Sequence, residues 1–86
     1  MAVGTLIKTN PDRQLFVGLV YEWFYEGNTK EGTIHVEVKW NDCDHTTEIF
    51  HEYEDYDVSD YHFYHKGRWW LICENFWKFK EVLEGK

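Results

Sequence analysis

Between Thr33 and Trp40 apolar and polar residues alternate without a break: Ile34, Val36, Val38 and Trp40 fall on one face, and Thr33, His35, Glu37 and Lys39 on the other. A period of two gives a strand one dry and one wet face. A parallel sheet covered on both sides would instead read as a continuous apolar run, so the pattern points to an antiparallel sheet. Val3 to Thr9 predicts a first strand, and Gln14 to Tyr25 a long second one with Val17, Leu19, Tyr21 and Trp23 at alternate positions. Gly18 within that run predicts a bend or bulge. Gly27-Asn28-Thr29-Lys30-Glu31-Gly32 turns the chain into the third strand, and Asn41-Asp42-Cys43-Asp44 leads to a fourth over Thr46 to His51.

Beyond His51 the period fades. Glu52 to Asp60 is acidic and aromatic, and Tyr61 to Tyr64 and Arg68 to Cys73 flank His65-Lys66-Gly67, a hairpin signal. From Asn75 to Leu83 two periods compete: Trp77, Phe79 and Leu83 fit a strand, and Phe76, Phe79 and Leu83 fit a helix. The strand is preferred, as part of a C-terminal hairpin addition over residues 61–83. Trp69 and Trp70 are adjacent, so in a strand their rings face opposite sides and one of them leaves the main core.

The 86 residues fit a single domain, and 20% of them are aromatic, with five Trp, six Tyr and six Phe. A chain this short buries only about 60–65% of its unfolded surface, so large rings are what make its core sufficient. Cys43 and Cys73 allow at most one disulfide, and the N-terminus lacks the pattern of a signal peptide; reduced thiols in the cytoplasm are expected. No apolar run reaches the ~18–20 residues of a membrane span. A formal net charge of −7 disfavours direct contact with nucleic acid.

The succession V-G-T-L-I-K-T at Val3 to Thr9, V-G-L-V-Y-E-W at Val17 to Trp23, and V-E-V-K-W-N-D at Val36 to Asp42 followed by T-T-E-I-F resembles the small Src-homology-3-like and Tudor-like barrels. Within these it is similar to short proteins of tailed marine phages. The resemblance covers roughly residues 3–58 and rests on strand pattern, with no catalytic or ligand motif. It implies a mostly β, strongly bent antiparallel barrel or roll, and a location inside an infected host cell.

Candidate chemistry is sparse. From Asn41 to His65 there is no Lys or Arg, while Asp42, Asp44, Glu48, Glu52, Glu54, Asp55, Asp57 and Asp60 accumulate. Such a run serves as a solvated face, as a docking surface for a basic protein, or as a phosphate-backbone mimic that inhibits a nucleic-acid-binding protein. Tyrosines interleave with it, and Tyr suits interfaces because its ring is apolar and its hydroxyl can stay hydrogen-bonded. The interaction surface expected from sequence is therefore Glu52, Tyr53, Glu54, Asp55, Tyr56, Asp57, Tyr61 and Tyr64, with Trp69 or Trp70.

A Tudor-like aromatic cage for a methylated cation would draw on Trp23, Tyr25, Trp40, Phe50 and Tyr53, but Trp40 shares the core alternation of Ile34, Val36 and Val38. Zinc sites pair close ligands, and the one close pair here, His62 and His65, is split across a strand by its odd spacing, so no metal or other cofactor is expected. Imidazoles bordering carboxylates are expected to titrate upward and to make self-association depend on pH between about 5 and 7. Ser59 is the lone serine, no phosphate loop or hydrolase motif occurs, and acidic neighbours blunt Cys43, so enzymatic activity is not expected. The sequence reads as a protein-interaction module, with a self-associating structural protein as the alternative.

Overall fold

The computed structural model describes residues 4–9, 17–28, 31–41, 44–53 and 61–85. Six strands, β1 (Leu6–Lys8), β2 (Val17–Gly27), β3 (Gly32–Trp40), β4 (His45–His51), β5 (His62–His65) and β6 (Arg68–Leu71), precede one helix, α1 (Phe76–Leu83). The strands form a single sheet in the order β4-β3-β2-β1-β5-β6, and every pairing is antiparallel. The sheet is unclosed: among the described residues β4 and β6 do not pair with each other. β1 to β4 run as a meander, after which the chain returns to the far side of β1 to add the β5–β6 hairpin.

The alternation of β3 is realised in full, with Ile34, Val36, Val38 and Trp40 all buried. β2 does not keep its phase. A bulge at Tyr21 shifts the register between Val20 and Glu22, so Gly18 and Val20 face the core before it, whereas Trp23 and Tyr25 face the core after it. The set Val17, Leu19, Tyr21 and Trp23 therefore does not share one face: Leu19 lies opposite Lys39 on the outer side, and Trp23 lies opposite Val36 on the inner one.

The bulge also sits three residues beyond the glycine expected to make it. Gly18 has a different role, because a side chain there would collide with Val38 and with the indole of Trp40, its direct cross-strand partner. At the other end of the same hairpin the ring of Tyr25 occupies the space a side chain at Gly32 would need. Two aromatic side chains thus fill space that glycines leave open, and the polar atom of the indole is satisfied by Trp40 Nε1 donating to Thr46 Oγ1 at 2.8 Å.

The segment Asn75 to Leu83, expected as a strand, is a helix from Phe76 to Leu83. Phe76, Phe79 and Leu83 lie on one helical face and are buried, while Trp77, the residue that completed the strand period, points away and is half exposed. The C-terminal addition is therefore a hairpin over residues 62–71 followed by a helix. The helix closes the core, with the Phe79 ring 5.1 Å from Phe63 and 5.6 Å from Phe50. It ends where Gly85, at φ 84°, donates its N–H to the Val82 carbonyl. The β5–β6 turn has Lys66 at φ 52° and Gly67 at φ 83°, the pair of positive angles that a two-residue type I′ hairpin requires.

Candidate interaction surface

Helix α1 packs on one face of the sheet only, and among the described residues no element packs over the other. That outer face carries the odd residues of β3, Leu19 and Tyr21 of β2 and, because of the bulge, Glu22, Phe24 and Glu26. Leu6, Leu19, Phe24, Ile49 and Tyr64 are all large, apolar and exposed there. They fall into two groups.

The first group spans β1, β2, β5 and β6. Leu6 lies directly opposite Leu19, and Tyr64 directly opposite Trp69. The Tyr64 and Trp69 rings meet edge to face at 5.2 Å, and the Lys8 ammonium sits 4.7 Å from the Trp69 ring centre. The lysine supplies a cation over the indole and lays its aliphatic stem along the patch.

The second group spans β2, β3 and β4. Phe24 lies opposite His35 and stacks on it, with ring centres 4.3 Å apart and planes 8° apart, yet remains 56% exposed. One ring nitrogen of His35, Nε2, lies 3.3 Å from Thr33 Oγ1 and 3.4 Å from Glu26 Oε1. One step along the strands Glu22 lies directly opposite Glu37. Glu22, Trp23, Phe24, His35 and Glu37 line a shallow depression of about 120 Å³. Thr47 Oγ1 donates to Glu37 Oε2 at 2.7 Å, and the Tyr21 hydroxyl is hydrogen-bonded to His45 Nε2 at 2.8 Å. The Tyr21 hydroxyl is held above its usual pKa, first by local desolvation and then by the Glu37 and Glu22 carboxylates.

The residues expected to form the surface do not stay together. Tyr64 and Trp69 meet on the outer face, whereas Trp70 lies on the inner face, stacked on Phe63 with the Arg68 guanidinium 4.0 Å from its ring centre. The two adjacent tryptophans do face opposite sides, as the strand period requires. Tyr61 is on the inner face beside Trp40 and Phe50, and its hydroxyl, hydrogen-bonded to the Glu48 carboxylate, is pushed up to about 12 by burial and by that carboxylate. Glu52 accepts the Gly32 N–H at 3.0 Å, a role in closing the β3–β4 end of the sheet, and Tyr53 is exposed. Glu54, Asp55, Tyr56 and Asp57 lie outside the described residues.

Of the cage set, Trp40 and Phe50 are buried, Trp23 and Tyr25 pack partly buried against the core, and Tyr53 is exposed. Among the described residues no group of three or more His, Cys, Asp or Glu comes together as a metal site, and no helix is long and apolar enough to cross a membrane. Cys73 is half buried in the turn before α1, and Cys43 lies outside the described residues. The His65 imidazole is lowered by local desolvation and then by Lys78 and Lys66.

Sequence reasoning missed Phe24. The signal was the run Trp23-Phe24-Tyr25: three consecutive aromatics in a strand oblige at least one ring to face away from the core, the same argument that separated Trp69 from Trp70. No protein-family model, no curated protein and no solved structure matches this chain.

Proposed function

We propose that this protein is a non-enzymatic interaction module that binds a protein partner through the outer face of its sheet. The observation that carries the reading is the placement of Leu6, Leu19, Phe24, Ile49 and Tyr64, which stay exposed on that face while α1 covers the opposite one. An antiparallel sheet with one solvated face ordinarily alternates apolar-in and polar-out. Five large apolar residues on the wet side depart from that rule, and clustered exposed apolar surface marks interaction sites. Aromatic rings held in fixed geometry contribute area at low cost in conformational entropy, and Tyr and Trp are prominent among the residues that dominate binding energy.

The kinship with Src-homology-3-like and Tudor-like rolls and with phage proteins belongs to this proposal. The long β2 strand and its bulge at Tyr21 support it, since bulges re-aim strands in such rolls. The charge of −7 favours a basic partner.

The test is selection of binders from a random peptide library, with wild-type protein as target and Leu19→Glu as counter-target. Enrichment of peptides that hold the wild type and not the variant supports the reading. The alternative, self-association, is favoured by the Leu6–Leu19 and Tyr64–Trp69 patch; it predicts a concentration-dependent dimer in light scattering that Leu19→Glu dissociates. A monomer with no enriched peptides would sink both.

A further inference from the structure

We infer that the depression between Phe24, His35, Glu22 and Glu37 is a pocket for a guanidinium group, an arginine side chain presented by the partner. The inference rests on the association reading above and names the chemistry that one part of the outer face recognises. Glu22 and Glu37 are direct cross-strand partners, an arrangement in which like charges are destabilising. Among the described residues no lysine or arginine forms an ion pair with either of them; the ion pairs are His35 with Glu26, His51 with Glu31, and Lys80 with Glu84. One acceptor position of Glu37 is taken by Thr47, which fixes the carboxylate while leaving its charge uncompensated.

The carboxylates are only part of the site. Beside them is an aromatic platform: His35 covers one face of the Phe24 ring, and the residue is still 56% exposed, which leaves ring surface accessible. These four residues, together with Trp23, line one depression rather than a flat surface. A cation over a ring face is attracted by the ring quadrupole, and a planar guanidinium adds stacking. Its forked donors also match carboxylate oxygens, and cross-strand neighbours with Cβ atoms about 4.5–5.5 Å apart can supply oxygens to a single fork. A lysine ammonium would gain the charge attraction but neither the stacking nor the fork. The pocket therefore prefers arginine.

The experiment uses the whole protein, labelled with ¹⁵N, titrated at neutral pH with N-acetyl-arginine amide and, separately, N-acetyl-lysine amide. The expected result is saturable shifts confined to β2 and β3 around residues 21–26 and 34–38. Half-saturation falls in the millimolar range that one cation–π contact with charge-assisted hydrogen bonds supports, and lysine binds at least about tenfold more weakly. The double variant E22Q/E37Q, which removes repulsion and so keeps the fold, should abolish the saturation, and Phe24→Ala should erase the preference for arginine. Linear, unsaturable shifts, or saturation unchanged in E22Q/E37Q, would overturn the inference. Selected peptides that lack arginine yet still depend on Leu19 would also overturn it, while leaving the association reading standing. Arginine saturation without any outer-face peptide or dimer would uphold the pocket and remove the association reading.

Discussion

The indole of Trp40 lies over Gly18, its direct cross-strand partner, in space that any side chain at position 18 would have to share. A Cβ at position 18 would lie 2.7 Å from Trp40 Cε3, and a methyl of Val38 is also in the way. Both neighbours belong to the fully packed inner face, and Trp40 is further tied by its bond to Thr46, so neither can move freely. Gly18→Ala should therefore cost about 1–3 kcal/mol through overpacking. Urea unfolding followed by tryptophan fluorescence measures it; no loss of stability would mean that the indole can swing aside.

The legibility of the chain follows from this relationship and from the bulge next to it. β3 could be read directly because its polar and apolar residues differ at every step from Thr33 to Trp40. β2 could be located but not phased: Val17, Leu19, Tyr21 and Trp23 look like one face until the bulge at Tyr21 exchanges the sides, and no residue type in the run announces that exchange. The consequence reaches the candidate site, since the same shift puts Phe24 and Glu22 on the outer face. α1 was ambiguous because Trp77 satisfies a strand period while the buried set of Phe76, Phe79 and Leu83 satisfies a helical one; packing against Phe50 and Phe63 decides it. The β5–β6 turn was legible because Lys66-Gly67 supplies glycine at a position of positive φ.

Lys66 is less well suited to that turn than Gly67. It holds φ 52°, a left-handed angle that disfavours most L-residues, whereas Asn accepts it readily and Asn-Gly is the preferred type I′ pair. Lys66→Asn should stabilise the protein by about 0.5–1 kcal/mol, within the range usual for turn optimisation. Thermal unfolding at matched ionic strength checks this, and a lower Tm would mean that the lysine makes a compensating contact.

The helix gives a paired prediction. Phe79 is fully buried between Phe50 and Phe63, whereas Trp77 is half exposed and touches Tyr25 and Phe76 at ring-centre distances of 5.7 and 5.1 Å. Phe79→Ala should cost about 3–5 kcal/mol, and Trp77→Ala about 1 kcal/mol or less. If the two costs were equal in denaturant titrations, the buried face of α1 would be wrongly assigned.

Facing carboxylates at Glu22 and Glu37 should leave an unfavourable mark on the free protein. Removing one charge with Glu22→Gln should raise stability by about 0.2–1 kcal/mol at neutral pH and low salt. The gain should shrink in high salt, because screening weakens the repulsion that the variant relieves. Stability measured from low to high salt separates charge relief from a packing effect, which would persist at every salt concentration.

Tyr61 links the fold to alkaline pH. Its hydroxyl is pushed up to about 12 by burial and by the Glu48 carboxylate, against an ordinary value of 10.0. A tyrosine whose folded pKa lies above its unfolded value contributes stability that is fully present below the unfolded value and is lost as pH rises toward the folded one. Stability should therefore decline between about pH 10 and pH 12, as ionisation draws the chain toward the unfolded state. Absorbance at the phenolate band should show Tyr61 ionising later than an ordinary tyrosine, near pH 12. In Tyr61→Phe the component near pH 12 should be lost and the alkaline decline become shallower, while Glu48 keeps the Thr46 hydroxyl as a donor. A decline of the same depth in Tyr61→Phe would assign the alkaline sensitivity to another group.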